Sequence, residues 1–294
     1  MKKNLMEMYG HIIQKMFDNS DPELNLTTTA ANVLQEAIPD NRAHFETIIN
    51  DLVLPGSGIE GIAFLDELKK HSDEGHACLI CSAHFTNFDV PALYTLMKRL
   101  GPAYENLFDR FVFVAGKKLT ETSPQSKALT EMFSRVVIVP KEDNMTEQAK
   151  KKAFTINRAA QRIINQLKKE GRILLIYPNG TRVRPWDPHT FRGLREAYNY
   201  IRNFDYFICC GLSGTILPPT NNPGLIFDYP QKDTVIYRFG PLHHGKSFVQ
   251  ACTEKAKEDQ LDTKQHVIDT IMEEIYSLGD DPRVQYKDYT DEDA

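Results

Sequence analysis

The rhythm of apolar and polar positions changes once along this chain, near Gly75. Before that point apolar residues recur every three or four positions. The stretches "NLMEMYGHIIQKMF", "TTAANVLQEAI" and "PDNRAHFETIINDLV" each present one apolar helical face, and Ile59, Ile62, Leu65 and Leu68 continue the stripe in "GIEGIAFLDELKKHSDEG". The spacing predicts an N-terminal helical domain over 1–75. After it, short apolar runs alternate with amphipathic segments. "ACLICSA" (77–83), "RFVFVAG" (110–116), "RVVIVP" (135–140), "RILLIYP" (172–178), "YFICCGLSG" (206–214) and "DTVIYRFG" (233–240) read as strands. "DVPALYTLMKRL", "SPQSKALTEMF", the stretch 145–169, "HTFRGLREAYNYIRNF" and "TKQHVIDTIMEEIYSL" read as helices. Strands that are apolar throughout and separated by helices belong to sheets covered on both faces. The expected fold is therefore α/β, with a largely parallel or mixed central sheet flanked by helices over 76–280. A smaller helical bundle precedes it, and 281–294 form an acidic, frayed tail.

In open α/β sheets, chemistry gathers at the carboxyl ends of strands. "LICSAHFTNFDVPAL" places His84 just past such an end and Asp89 five residues on, before Pro91 in the first turn of a helix. A bend through "FTNF" returns the carboxylate toward the ring. A carboxylate on one ring nitrogen fixes the tautomer and leaves the other nitrogen free to accept a proton. The same residues also suit a helix N-cap and a hydrogen-bonded loop histidine. No serine or cysteine nucleophile stands beside His84, so the proton it would take belongs to a substrate hydroxyl or to water.

A second cluster follows the strand at 172–178. In "YPNGTRVRP" the Asn179-Gly180 pair marks a turn, and Arg182 and Arg184 alternate about Val183, so an extended loop presents both guanidiniums on one side. Such a pair suits a phosphate or carboxylate, although surface arginines paired to acids are the other reading. Lys141, after "VVIVP", and Lys117 and Lys118, after "FVFVAG", lie at neighbouring strand exits. This layout suggests a small anionic substrate held beside a general base.

Composition narrows the classes. The 294 residues are 41% apolar and 26% charged, as in a globular domain, and the net charge of -5 argues against nucleic-acid binding through global charge. The five cysteines lack secretory spacing, and Cys78 and Cys81 sit within an apolar strand as packed thiols. No run approaches the length of a membrane span, and a soluble protein of the cytoplasm or an organelle stroma is expected. The histidines show no familiar metal-ligand spacing, so no metal is expected.

"SAHFTNFD", "YPNGTRVRP" and "TILPP" (215–219) resemble, in order, the H-x-x-x-x-D, F-P-E-G-T-R and apolar-proline blocks of the glycerolipid acyltransferase family. "FVAGKKLTETSPQSKAL" and the arginine pair are most similar to the soluble, plastid-type glycerol-3-phosphate acyltransferases. "HFTNFD" also resembles the lipid A acyltransferases. Asn179 stands where the common block has Glu, and Tyr177 where it has Phe. The resemblance implies that His84 is the general base and Asp89 its orienting partner. It also implies that Lys141, Arg182 and Arg184 hold the acceptor's phosphate, with Gly180 as the turn glycine. The implied reaction is acyl transfer from an acyl thioester, acyl-ACP or acyl-CoA, to the sn-1 hydroxyl of glycerol 3-phosphate, giving lysophosphatidate. Backbone N–H groups of the Phe85–Asn87 turn would face the oxyanion. No permanently bound cofactor is expected. An acyl carrier protein would dock on the basic residues Lys150–Lys152, Arg158, Arg162 and Lys168, and the product would leave by peripheral membrane contact. The alternatives are another acceptor such as lysophosphatidate, a thioesterase-type hydrolase, and a non-catalytic module that binds an anion.

Overall fold

The computed structural model describes residues 2–20, 27–117, 128, 130–140, 145–220, 228–287 and 289. Within them the apolar runs pair into one mixed sheet in the order β1-β5-β4-β6-β3-β7-β8-β2, with β9 paired to β7. The strands are β1 (Leu34–Gln35), β2 (Gly58–Glu60), β3 (Cys78–Ser82), β4 (Phe111–Gly116), β5 (Arg135–Ile138), β6 (Ile173–Ile176), β7 (Tyr206–Ser213), β8 (Ile236–Phe239) and β9 (His243–His244). The central five, β5-β4-β6-β3-β7, are parallel, while β1, β8 and β9 join antiparallel. Every residue of β3 and of β6 is buried, as their apolar sequences require of strands covered on both faces.

Helices α1 (Leu5–Asp18), α2 (Arg42–Leu52), α3 (Ile62–Asp73), α4 (Asp89–Arg99) and α5 (Pro102–Phe108) precede the long α6 (Glu147–Lys169). After these come α7 (Tyr198–Asn203), α8 (Gly245–Glu258), α9 (Thr263–Ser277) and α10 (Pro282–Gln285). Asn4 opens α1 with a reciprocal cap: its side chain accepts from Glu7 N–H at 2.9 Å while its own N–H donates to Glu7 at 2.8 Å. α1 packs on α2, α2 on α4, α6 on β5, and α9 on β7. One buried apolar cluster runs from Leu5 to Tyr276, so the N-terminal helices share the sheet's core.

Four expectations change. "TTAANVLQEAI" forms turns and β1 instead of a helix. Thr29 and Asn32 hydrogen-bond the local backbone, and Val33 and Gln35, two apart, are the buried pair. Ile59 belongs to β2, because Gly61 at φ 72° breaks the chain before α3. The region 1–75 therefore carries two strands at the rims of the sheet. "HTFRGLREAYNYIRNF" is split into two short 3₁₀ turns and α7, because Gly193 lies where a Cβ would stand 2.3 Å from Ile268. The segment expected to fray from 281 begins with α10, and buried Pro282 starts that helix. "SPQSKALTEMF" lies largely outside the described residues.

Gly61 joins the last two points of the sheet's rim: a Cβ there would stand 2.0 Å from the Phe239 carbonyl oxygen at a φ that disfavours side chains. Gly61→Ala is expected to cost about 2–4 kcal/mol from overpacking and left-handed strain, read as a lowered midpoint in chemical denaturation. A midpoint equal to that of the wild type would show that the close approach relaxes freely.

Candidate active site

The chain leaves β3 at Ser82 and does not enter α4 directly. Thr86 Oγ1 accepts from Phe88 N–H at 2.6 Å, and this local bond bends 84–88 into a compact turn. The turn returns Asp89, the first residue of α4, to the residues just before it. Its Oδ2 lies 2.8 Å from His84 Nδ1 and accepts from Phe85 N–H at 2.8 Å, while Thr86 N–H is 3.1 Å from both carboxylate oxygens. Asp89 is 4% exposed, and Tyr237 Oη donates to its carbonyl at 2.6 Å. A carboxylate that already accepts from two backbone donors orders His84 with the hydrogen on Nδ1, leaving Nε2 as acceptor. The His84 side chain keeps 20% of its surface exposed.

This geometry corrects one expectation for two of the three residues it named. Phe85 and Thr86 N–H groups are engaged by Asp89, so they are not donors aimed at an oxyanion.

Tyr177, the first residue past β6, stacks on His84 with ring centroids 4.0 Å apart and 15° between planes. Burial, with the Asp89 charge beside it, pushes its phenol well above the usual range, so Tyr177 serves as a wall for the imidazole. The parallel register, Cys81 opposite Ile176, sets this contact. Only the pairing of β3 with β6 reveals it; along the chain the two rings are far apart.

The 178–184 loop is tied directly to the histidine: Val183 N–H donates to the His84 carbonyl at 2.8 Å. Val183 is buried, and Arg182 and Arg184 flank it, as the alternation predicted. Gly180 turns at φ 68° beneath Leu194, whose Cδ1 would meet a Cβ at 2.4 Å. Asn179 is buried and donates from Nδ2 to the Thr190 carbonyl at 3.0 Å, bracing the turn that follows the arginines. A glutamate there could not make that donation.

Arg182 faces Asp228, which sequence reasoning did not single out; Nη1 and Oδ2 are 3.5 Å apart, an ion pair without a hydrogen bond. Burial depresses the Arg182 pKa, with Asp228 opposing that shift and nearby Arg184 adding to it. Burial likewise raises Asp228, against a 2.6 Å hydrogen bond from Thr220 and the pull of Arg182. Arg182 Nη1 is thus a buried cationic donor with no hydrogen-bond acceptor among the described residues. The Arg184 guanidinium has no hydrogen bond or ion pair among the described residues, since only its backbone is engaged. Lys141 and Lys118 lie outside the described residues. Lys117 lines a cavity of about 320 Å³ with Thr28, Val139, Met145, Lys152 and Ile156. That cavity opens beyond β4 and β5, on the same sheet edge as His84 but not around it.

The five cysteines are buried and unpaired, and burial raises Cys78 to about 12, so these thiols are packing groups as expected. No helix among the described residues is long and apolar enough to cross a membrane.

Residues 64–208 match a family model described as acyltransferase, a span holding His84, Asp89, Arg182 and Arg184. No curated protein matches the sequence. The crystal structure of the 1-acyl-sn-glycerophosphate (LPA) acyltransferase PlsC from Thermotoga maritima is similar over 91% of this chain and 88% of that one, at 14% identity and a TM-score of 0.40.

Asp89→Asn puts an amide where the ring nitrogen now finds an acceptor. Nitrogen-15 NMR of His84 above neutral pH is expected to show hydrogen on Nδ1 in the wild type and a shift toward the Nε2–H tautomer in the variant. An unchanged tautomer ratio would remove Asp89 as the orienting group.

Proposed function

We propose that this chain, whose residues 64–208 match the acyltransferase family model, moves a fatty acyl group from an acyl thioester to a free hydroxyl of a glycerol-phosphate acceptor. One observation carries this reading: a single backbone bond, Val183 N–H to the His84 carbonyl, holds an oriented imidazole beside two arginines with donors to spare. The acceptor's phosphate would take Arg182 and Arg184, with Lys141 as a third contact. Each charge-assisted bond contributes roughly 1.5–3 kcal/mol when desolvated. Holding the phosphate fixes the hydroxyl near His84 before chemistry begins.

His84 Nε2 takes the hydroxyl proton as the oxygen attacks the thioester carbonyl. The imidazolium, stabilised by Asp89, returns that proton to the thiolate as the tetrahedral adduct collapses. One C–O bond forms, one C–S bond breaks, and the products are an ester and a free thiol. No protein nucleophile is required. Glycerol 3-phosphate and lysophosphatidate present the same phosphate to the arginine pair, which therefore does not choose between them; they differ in the acyl chain beside the reacting hydroxyl.

For the donor, α6 supports acyl carrier protein. Lys150, Phe154, Arg158 and Arg162 recur every four residues along one exposed face, and Phe154 is 69% exposed. A basic stripe with an apolar centre suits an acidic carrier. Lys168 does not belong to it: its ammonium donates to the Asn203 carbonyl at 2.6 Å and sits 4.0 Å over the Phe204 ring. The chain would hand its amphiphilic product to a membrane surface.

An assay of acyl-ACP and acyl-CoA against glycerol 3-phosphate, lysophosphatidate and other lysolipids reads which acceptor is esterified. Thioester loss that ignores every acceptor would identify a hydrolase instead. His84→Ala is expected to lower kcat by about 10²–10⁴-fold while phosphate-acceptor binding persists. Arg182→Ala and Arg184→Ala should raise the acceptor KM about 10–100-fold; unchanged KM in both would refute the phosphate assignment. Phe154→Ala with Arg158→Glu should raise KM for acyl-ACP and leave acyl-CoA unaffected. Equal effects on both donors would count against docking at α6.

A further inference from the structure

At the opposite end of β3 from His84, the helix α3 ends in a turn that gathers two imidazoles and a carboxylate. Gly75 at φ 87° reverses the chain; its N–H donates to the Ser72 carbonyl at 3.2 Å and His76 N–H donates to the His71 carbonyl at 3.0 Å. These paired bonds form the Schellman closure, which brings the side chain three residues inside the helix against the one just beyond the glycine. Those two side chains are normally apolar. Here they are His71 and His76, with ring centroids 5.6 Å apart, and the residue between them at the helix end is Glu74.

One ligand atom from each of His71, Glu74 and His76 lies within 4.8 Å of the others. His71 Nδ1 and Glu74 Oε2 are already 3.3 Å apart. That is about the edge, roughly 3.3 Å, of a tetrahedron built from metal–ligand distances near 2.0–2.2 Å. His71 Nδ1 is buried and makes no hydrogen bond among the described residues. Tyr206, the first residue of β7, stacks under His71 at 3.9 Å and 17° and meets His76 edge-on at 5.2 Å. The imidazoles are therefore held by packing as well as by the turn, while exposed Glu74, whose Oε1 lies 3.9 Å from Lys70 Nζ, has its Oε2 turned toward His71 and would close on an ion from that side.

We propose that His71, Glu74 and His76 bind a Zn²⁺ ion, with water as fourth ligand, at the junction of α3 and β3. Two imidazole nitrogens and one carboxylate oxygen form a set suited to zinc, and poorly suited to calcium or magnesium, which favour all-oxygen shells. The histidine spacing of five, with the carboxylate between, is not a helical ligand pattern; it works because the glycine turn folds the last position back. The nine residues from His76 to His84 run largely along β3, so the ion is remote from the acyl-transfer chemistry and would clamp the helix to the strand.

The test uses untagged full-length protein stripped with a chelator, titrated with Zn²⁺ against a chromophoric competitor and with Co²⁺ for visible d–d absorption. One equivalent per chain is expected, with a raised Tm in Zn²⁺ and none in Mg²⁺. Affinity should weaken as the medium is acidified, because protons compete with the metal for its ligands. Glu74→Gln and His76→Gln, both at the turn's surface, should each weaken binding at least 10-fold with an unchanged circular dichroism spectrum. His71→Ala should do the same, but it also removes the ring stacked on Tyr206. Absence of stoichiometric binding in the wild type would overturn the proposal. So would wild-type affinity in both glutamine variants, which would mark adventitious surface binding.

Discussion

The buried carboxylate of Asp89 is the constraint on which the rest of the site depends. A charge taken from water is costly unless its oxygens are paired, and this one has the His84 ring and the Phe85 and Thr86 amides. Those bonds impose a turn after β3 where a direct strand-to-helix passage would leave the carboxylate unpaired. The turn in turn sets the direction of α4, whose first-turn Pro91 gives up no needed hydrogen bond. Tyr237 closes the arrangement by anchoring the Asp89 carbonyl from β8, across β7 from the histidine's own strand.

A second balance governs the cations. Arg182 is mostly buried, and its acidic partner Asp228 stands near enough to attract but too far to hydrogen-bond. Asp228 is itself held by Thr220, and its carbonyl accepts from Leu5 N–H at 3.0 Å, so the first helix fixes the position of the arginine's partner. The guanidinium is thus oriented without being consumed, the condition for gripping a further anion. Arg184 has no side-chain partner among the described residues, and the mutual repulsion of the two guanidiniums favours any ligand that brings two negative charges.

Much of this was legible in the order of residues. Continuous apolar runs identified the six long strands, because parallel strands buried on both faces have no polar side to show. The His84-to-Asp89 spacing and the alternation about Val183 were equally local, and both survive in the folded chain. Errors came where local bonds or close packing overrode periodicity. Thr29 and Asn32 drew the backbone out of a helix, and Gly193 under Ile268 interrupted another. The stacking of Tyr177 on His84, the Asp228 partner and the His71–His76 pairing escaped notice because each depends on a strand register, a chain-distant contact or a glycine reversal.

The sequence by itself determined which six long segments enter the sheet, where those strands stop, and which basic and imidazole groups stand at those stops. Hydrophobic periodicity and turn chemistry act over a few residues and are written there directly. Tertiary structure alone decided that β6 lies beside β3, which stacks Tyr177 on His84 and hangs the arginine loop from the histidine's carbonyl. Strand order follows from the packing of whole faces across the sheet, and no local stretch of sequence contains that information.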